Sequence, residues 1–265
     1  MFQVSVGGCN SRHPEPYVMF RPKGLSEYLL LIVKTKAAFS IGQQELTVDA
    51  DCAIIIPPDL PYRYQSVSGD YINDWIHFSC DSDSVWSELL LPLCTPIPLP
   101  DPSRFSMFLQ QIFWERNYGS SRFRTENVSL LMQLLMHNLA DAYRHRNSQR
   151  RYSPYYSRLQ TLRLTMQSQP DRSYEADRIA ENLGISTSYF QHLYTEFFGI
   201  SFQSDRIRMR IEYARQLLAG TSLPIRLIAE MCGYSSEVHF YRQFKAHGGM
   251  TPAEYRDCSS TGKRS

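Results

Sequence analysis

The chain has 265 residues, 43% hydrophobic and 20% charged, with 28 Lys+Arg against 26 Asp+Glu and a net charge of +2. That balance excludes an extensively disordered polymer and leaves room for one large domain or two ordinary ones. The longest apolar runs, such as Leu29–Val33 and Ala53–Ile56, are far too short to span a bilayer, no charged-then-apolar leader opens the chain, and the cysteines at 9, 52, 80, 94, 232 and 258 form no C-x-x-C pair. The resulting expectation is a cytoplasmic protein with reduced thiols, no membrane segment, no cofactor and no thiolate metal site.

In chain order, residues 1–16 are rich in turn formers and read as an arm ahead of the first clear strand. From about 17 to 80 the pattern is strands and turns. Leu29–Val33 and Cys52–Ile56 are apolar runs of strand length, the second closed by Pro57-Pro58. Glu45–Val48 partly alternates, and Tyr62–Val67 and Tyr71–Phe78 flank Ser68-Gly69-Asp70. Short strands spaced by about ten residues with Pro/Gly punctuation predict an antiparallel sandwich or barrel. The period then changes. Phe105, Phe108, Leu109, Ile112 and Phe113 recur at three and four, and so do Val128, Leu131, Leu135 and Leu139, predicting helices over 103–117 and 122–147. The polar, basic stretch 148–154 reads as a linker. Residues 155–257 read as all helical: Pro170 ends the first helix, and the longest covers about 201–219, with 258–265 a tail. The fold class is α+β in two domains, an antiparallel β-barrel with two helices followed by an all-α domain.

The helical region repeats itself. Ile179-Ala180-Glu181 and Gly184 recur as Ile228-Ala229-Glu230 and Gly233, an offset of 49; Phe190 and Phe240, Tyr194 and Phe244, and Gly199 and Gly249 recur at an offset of 50. Each copy reads as a short helix, a glycine turn and a second helix. Ala keeps the helices close, Gly184 suits a turn with positive φ, and Ser186 suits a cap on the next helix. Phe190, Leu193, Tyr194 and Phe197 form one apolar stripe, so the opposite face shows Thr187, Ser188, Gln191, His192 and Thr195. The second copy buries Phe240, Phe244 and, in this reading, Val238, and shows Ser236, Glu237, His239, Arg242 and Lys245. One such helix pair is common and a lone polar face is usually just solvated. Two matched pairs, where a stacked helical array needs at least three copies, point to double-stranded DNA. By side-chain type, Arg242 suits guanine O6/N7 or a phosphate, Gln191 suits adenine, and Glu237 suits cytosine N4.

This region resembles the AraC/XylS transcription regulators. The resemblance rests on Gly199-Ile200-Ser201-Phe202, on Arg208-Met209-Arg210-Ile211 with Ala214, Leu217 and Leu218, and on Ile228-Ala229-Glu230-Met231-Cys232-Gly233-Tyr234. It continues through Phe240-Tyr241-Arg242-Gln243-Phe244-Lys245 and Thr251-Pro252-Ala253-Glu254-Tyr255-Arg256. It implies a seven-helix domain whose two reading helices enter successive major-groove segments of promoter DNA, with RNA polymerase as a further partner. More weakly, Arg21-Pro22-Lys23-Gly24, Ile54-Ile55-Ile56-Pro57-Pro58 and Asp74-Trp75-Ile76-His77-Phe78 resemble the cupin-type sensor domain of arabinose-regulator relatives. That implies a carbohydrate or similar effector inside the barrel, a homodimer through the two helices behind it, and a moving role for the 1–16 arm.

Strand alternation puts Asn73, Trp75 and His77 on one face and Ile76 and Phe78 on the other, and lets Tyr62 and Tyr64 share a face. Thr35, Tyr64, Asn73, Trp75 and His77 are therefore the candidate effector ligands: rings cover sugar C–H faces while polar groups fix hydroxyls. The plainer alternative makes Trp75 core and His77 a hydrogen-bonded strand residue. Two other functions stay open at this point, a regulator whose barrel only dimerises or binds a protein, and a metal cupin enzyme. Against the enzyme, only His77 of seven histidines lies in the strands, and no G-x-S-x-G, phosphate-loop or H-E-x-x-H motif is present, so catalysis is not expected.

Overall fold

A computed structural model describes residues 1–146 and 155–261. The linker expected at 148–154 and residues 262–265 of the tail lie outside the described residues. The chain divides into two compact units, Met1–Pro154 and Tyr155–Ser265.

The N-terminal unit contains β1 (Phe2–His13), β2 (Val18–Arg21), β3 (Tyr28–Val33), β4 (Ala37–Ile41), β5 (Gln44–Val48), β6 (Cys52–Ile56), β7 (Tyr62–Ser66) and β8 (Tyr71–Cys80). These are followed by α1 (Ser84–Leu89), β9 (Ile97–Pro98), α2 (Pro102–Tyr118) and α3 (Arg124–Arg144). The strands form two antiparallel sheets, ordered β1-β8-β3-β6-β9 and β2-β7-β4-β5. Among the described residues no ladder closes them into a cylinder, so the expected barrel is an open pair of facing sheets. β3 and β6 are buried at every residue because both their faces are covered. Leu29, Leu31, Val33, Ile54 and Ile56 pack toward the second sheet with Phe39, Tyr62 and Tyr64. Leu30, Ile32, Ala53 and Ile55 pack toward Leu109 and Ile112 of α2 and Met132, Leu135 and Leu139 of α3. Such doubly covered strands read as unbroken apolar runs.

Residues 1–16 are not an arm. Phe2–His13 pairs with β8 from Phe2↔Cys80 to His13↔Tyr71, with irregularities between Val4 and Val6 and between Gly8 and Ser11. At the second irregularity a buried carboxylate pins the strand. Asp74 Oδ1 accepts from Asn10 N (2.6 Å) and Lys34 Nζ (2.7 Å), and Asp74 Oδ2 accepts from Ser106 Oγ of α2.

The C-terminal unit contains α4 (Tyr156–Ser168), α5 (Ala176–Leu183), α6 (Thr187–Phe198), α7 (Phe202–Gly220), α8 (Ile225–Met231), α9 (Glu237–Gly248) and α10 (Pro252–Thr261). Long α7 serves two cores. Phe202 and Met209 join Leu159, Met166, Phe190, Leu193 and Tyr194, while Ile211, Ala214 and Leu218 join Ile228, Phe240 and Phe244. Among the described residues no helix is long and apolar enough to cross a membrane.

Candidate functional site

The two helix pairs, α5–α6 and α8–α9, repeat one local geometry. Gly184 (φ +72°) and Gly233 (φ +75°) make the left-handed turn. Ile185 N donates to Ala180 O and Tyr234 N to Ala229 O, both at 3.0 Å. Ser186 Oγ accepts from Tyr189 N (3.3 Å) and Ser236 Oγ from His239 N (3.4 Å), each satisfying a free N–H at the start of its helix. Phe190 and Tyr194, like Phe240 and Phe244, are fully buried, which fixes the rotation of α6 and α9 and sends the other face outward.

On α6 that face carries Ser188, Gln191, His192 and Thr195, all exposed. Thr187 is half-buried, and its Oγ1 donates to Asp177 Oδ1 of α5 at 2.6 Å, so it braces the pair before it can face a ligand. Thr195 Oγ1 donates to Gln191 O at 2.9 Å. On α9, Ser236, Glu237, His239, Arg242 and Lys245 are all exposed. Val238, expected in the core, is 80% exposed. It stands two residues before Phe240, about 200° away around the helix, so it points out where Phe240 points in. Arg242 makes no ion pair among the described residues, whereas His192 has Glu196 at 3.8 Å one turn on.

Behind these faces the two pairs are braced differently. Asp205 of α7 is 0% exposed. Its Oδ2 accepts from Arg163 Nε (2.7 Å) and Tyr194 OH (2.9 Å), and its Oδ1 accepts from both Arg208 Nε (3.1 Å) and an Arg208 terminal nitrogen (2.6 Å). Burial works to raise the Asp205 pKa, but the donors from Arg163, Arg208 and Tyr194 outweigh it and hold the carboxyl below its ordinary value. The second pair has Arg210 instead. Its Nε donates to Pro170 O (2.9 Å) and a terminal nitrogen to Arg172 O (3.1 Å), and the guanidinium lies 5.5 Å from the Tyr234 ring centre. Nothing in the local pattern around Asp205 marks it in the sequence, since an acidic residue in a first helical turn is ordinary.

In the N-terminal unit Tyr64 and Trp75, among the candidate effector residues, pack in the core between the sheets. Tyr64 is buried there, with its ring 5.3 Å from that of Tyr71. Tyr71 stacks in turn on Tyr17 (5.8 Å) and His13 (6.1 Å). Asn73 and Trp75 follow Tyr71 on the same face of β8. Trp75 Nε1 donates to Ser11 Oγ at 3.0 Å and its ring lies 5.1 Å from His77. Burial lowers the His77 pKa, with Glu27 opposing. Thr35 Oγ1 accepts from Ile72 N at 2.9 Å, a strand-connection role. Two polar atoms in this interior have no partner: Tyr71 OH and Asn73 Oδ1, in residues 0% and 1% exposed. Tyr71, Tyr17 and His13 were not among the candidates. Tyr71 was legible as the next alternate position before Asn73; His13 arrives through β1, which the sequence reading missed, and Tyr17 from the connection between β1 and β2. Among the described residues no group of three or more His, Cys, Asp or Glu could hold a metal ion.

A family model described as a helix-turn-helix domain matches residues 179–257. The arabinose operon regulatory protein of Salmonella typhimurium is 25% identical over 266 residues, 95% of this chain and 92% of that protein. The Escherichia coli protein of the same name is 24% identical over 268 residues, 95% of this chain and 88% of that protein. The E. coli xylose operon regulatory protein is 36% identical over 89 residues, 34% of this chain and 23% of that protein. A solved C-terminal domain of AraT, a response regulator from Geobacillus stearothermophilus, is 34% identical over 40% of this chain and 86% of that one, with a TM-score of 0.36.

Proposed function

We propose that the chain is a DNA-binding transcription regulator of the AraC/XylS kind, as the helix-turn-helix match and the similarity to arabinose operon regulators support, and that α6 and α9 read successive major-groove segments of promoter DNA. The reading side chains are Ser188, Gln191, His192 and Thr195 on α6, and Glu237, His239, Arg242 and Lys245 on α9. Ser186 and Ser236 cap the two helices, and Thr187 braces α6 against α5. The observation that carries this reading is the repeated geometry: two capped helices, each held by two buried rings, each turning a polar face outward. In this reading residues 155–257 are the DNA-binding domain, 1–147 the effector and dimerisation domain, and RNA polymerase the partner at the promoter.

The effector is a small polyhydroxylated molecule held between the sheets. The names of the arabinose and xylose regulators support a carbohydrate, and so does the interior chemistry. Unpartnered Tyr71 OH and Asn73 Oδ1 are a donor and an acceptor without a match, beside the rings of Tyr64 and Trp75. A sugar hydroxyl satisfies both. The second copy of the chain docks on the outer side of the helix hairpin, where Met107, Trp114 and Tyr118 of α2 and Leu130 and Leu134 of α3 are exposed at helical spacing. That face alone would also serve a regulator without an effector, so the test addresses the interior. Full-length protein is titrated calorimetrically with L-arabinose and D-xylose, alongside Tyr71→Phe. The variant should be as stable as the wild type or more so, since it loses an unsatisfied hydroxyl, and should bind the sugar about tenfold more weakly. Absence of heat and of any thermal shift across a wider sugar panel would leave a regulator that only dimerises or binds protein.

A further inference from the structure

We infer that Val238 reads the 5-methyl group of a thymine, making the α9 half of the DNA site dependent on that methyl while the α6 half is not. The inference rests on the reading that α9 enters the major groove. A single exposed valine is ordinary on a protein surface. This one is 80% exposed in the first turn of a capped helix, between Glu237 and His239. A β-branched side chain there does nothing for helix stability, because its χ1 freedom is restricted and it packs against nothing.

Its register gives it a use. Val238, Arg242 and Lys245 stand at i, i+4 and i+7, one stripe down the outward face of α9, with Phe240 and Phe244 buried on the other side. A guanidinium pairs with guanine acceptors or phosphate, an ammonium with phosphate, and an apolar branched group at the same face matches the one apolar feature of the major groove, the thymine methyl. At the offset of 50 that aligns Phe190 with Phe240, Val238 corresponds to Ser188, Arg242 to His192 and Lys245 to Thr195. The α6 stripe therefore has no hydrocarbon side chain at the Val238 position; its one methyl, on Thr195, lies two turns further down, where α9 has Lys245.

The test begins with the duplex most enriched from a random pool by the full-length protein. Each thymine is replaced singly by uracil, which removes only the methyl. One replacement in the α9 half should weaken wild-type binding about fourfold, the burial of one methyl group, and replacements in the α6 half should do nothing. Val238→Ser should weaken binding to the thymine duplex by a similar factor and abolish the thymine–uracil difference; Ser188→Ala should preserve that difference. Both sites are exposed, so thermal unfolding should match the wild type. If the protein prefers the enriched duplex over a scrambled one yet no uracil replacement matters, or if Val238→Ser keeps the difference, this inference is overturned and the DNA reading stands. No preference for the enriched duplex would overturn both.

Discussion

The first and second helix pairs share a backbone and differ in almost everything that holds or uses it. Both turn at a glycine with φ near +70°, both start the second helix at a capping serine, and both bury two rings one turn apart. Behind α6 stands a buried carboxylate with four donors from three side chains; among the described residues the core behind α9 has no buried carboxylate and relies on Phe240, Phe244, Tyr234 and Cys232. In front, α6 carries no Lys or Arg, while α9 carries Arg242 and Lys245. The frame is thus set by backbone chemistry at a few positions, and the means of stabilising it and the side chains it displays vary independently.

The largest expected break in that comparison is at Asp205. Replacing it by Asn leaves Arg163 and Arg208 beside Tyr194 with only Glu212, 3.7 Å from Arg208, as a counter-charge among the described residues. A buried pair broken on one side costs about 3 kcal/mol or more, so Asp205→Asn should lower the unfolding free energy in urea by about that amount. No single polar substitution behind α9 should match it. The pH dependence has a definite sign. The folded-state pKa of Asp205 is depressed, so its contribution is fully present above the unfolded-state value of about 3.9 and is lost as pH falls through the folded value. The gap between wild type and variant should therefore be constant near neutrality and close only below about pH 4. A gap that closes nearer pH 6 would assign the stabilisation to some other group.

The next effect separates the two turn glycines. At Gly184 an added Cβ meets nothing within 4 Å, so Gly184→Ala bears only the left-handed backbone cost of about 1–2 kcal/mol. At Gly233 the same Cβ would lie 2.7 Å from a terminal nitrogen of Arg210 and 2.8 Å from the backbone oxygen of Asp171. Arg210 cannot yield freely, because it is tied to Pro170 O and Arg172 O. Gly233→Ala should therefore lose a further amount of about 1–3 kcal/mol. Equal thermal shifts for the two variants would mean that the lash from Arg210 to the loop before α5 does not hold the second turn in place.

This also shows where the sequence was legible. The offset between the two copies exposed the frame, because glycine, serine and phenylalanine positions are dictated by local backbone and burial requirements. The central strands were equally plain, since β3 and β6 are apolar throughout. β1 was not, because Gly7, Gly8 and Asn10 interrupt its alternation and its pairing depends on Asp74 and Lys34, remote in sequence. Val238 was assigned to the core on residue type alone, although its distance from Phe240 around the helix sets it outside. Asp205 left no trace, since its partners come from three helices. Local chemistry is written in the sequence; convergence of distant side chains is visible only in the fold.

The smallest effect bears on the outward faces. Each phosphate neutralised by a cation releases counterions, so the slope of log affinity against log salt counts such contacts at about 0.9 per phosphate. Lys245 and Thr195 occupy corresponding positions, both exposed, one cationic and one neutral. Lys245→Ala should reduce the slope by about one while weakening binding to all sequences alike. Thr195→Ala should leave the slope unchanged, since a hydroxyl releases no counterion. Arg242→Ala distinguishes the two uses of a cation on this helix. A reduced slope with unchanged sequence preference makes it a phosphate anchor; an unchanged slope with relaxed preference at one guanine makes it a base reader. If Lys245→Ala leaves the slope intact, the positive charge of α9 lies away from the duplex, and the contrast with α6 concerns only the free protein's surface.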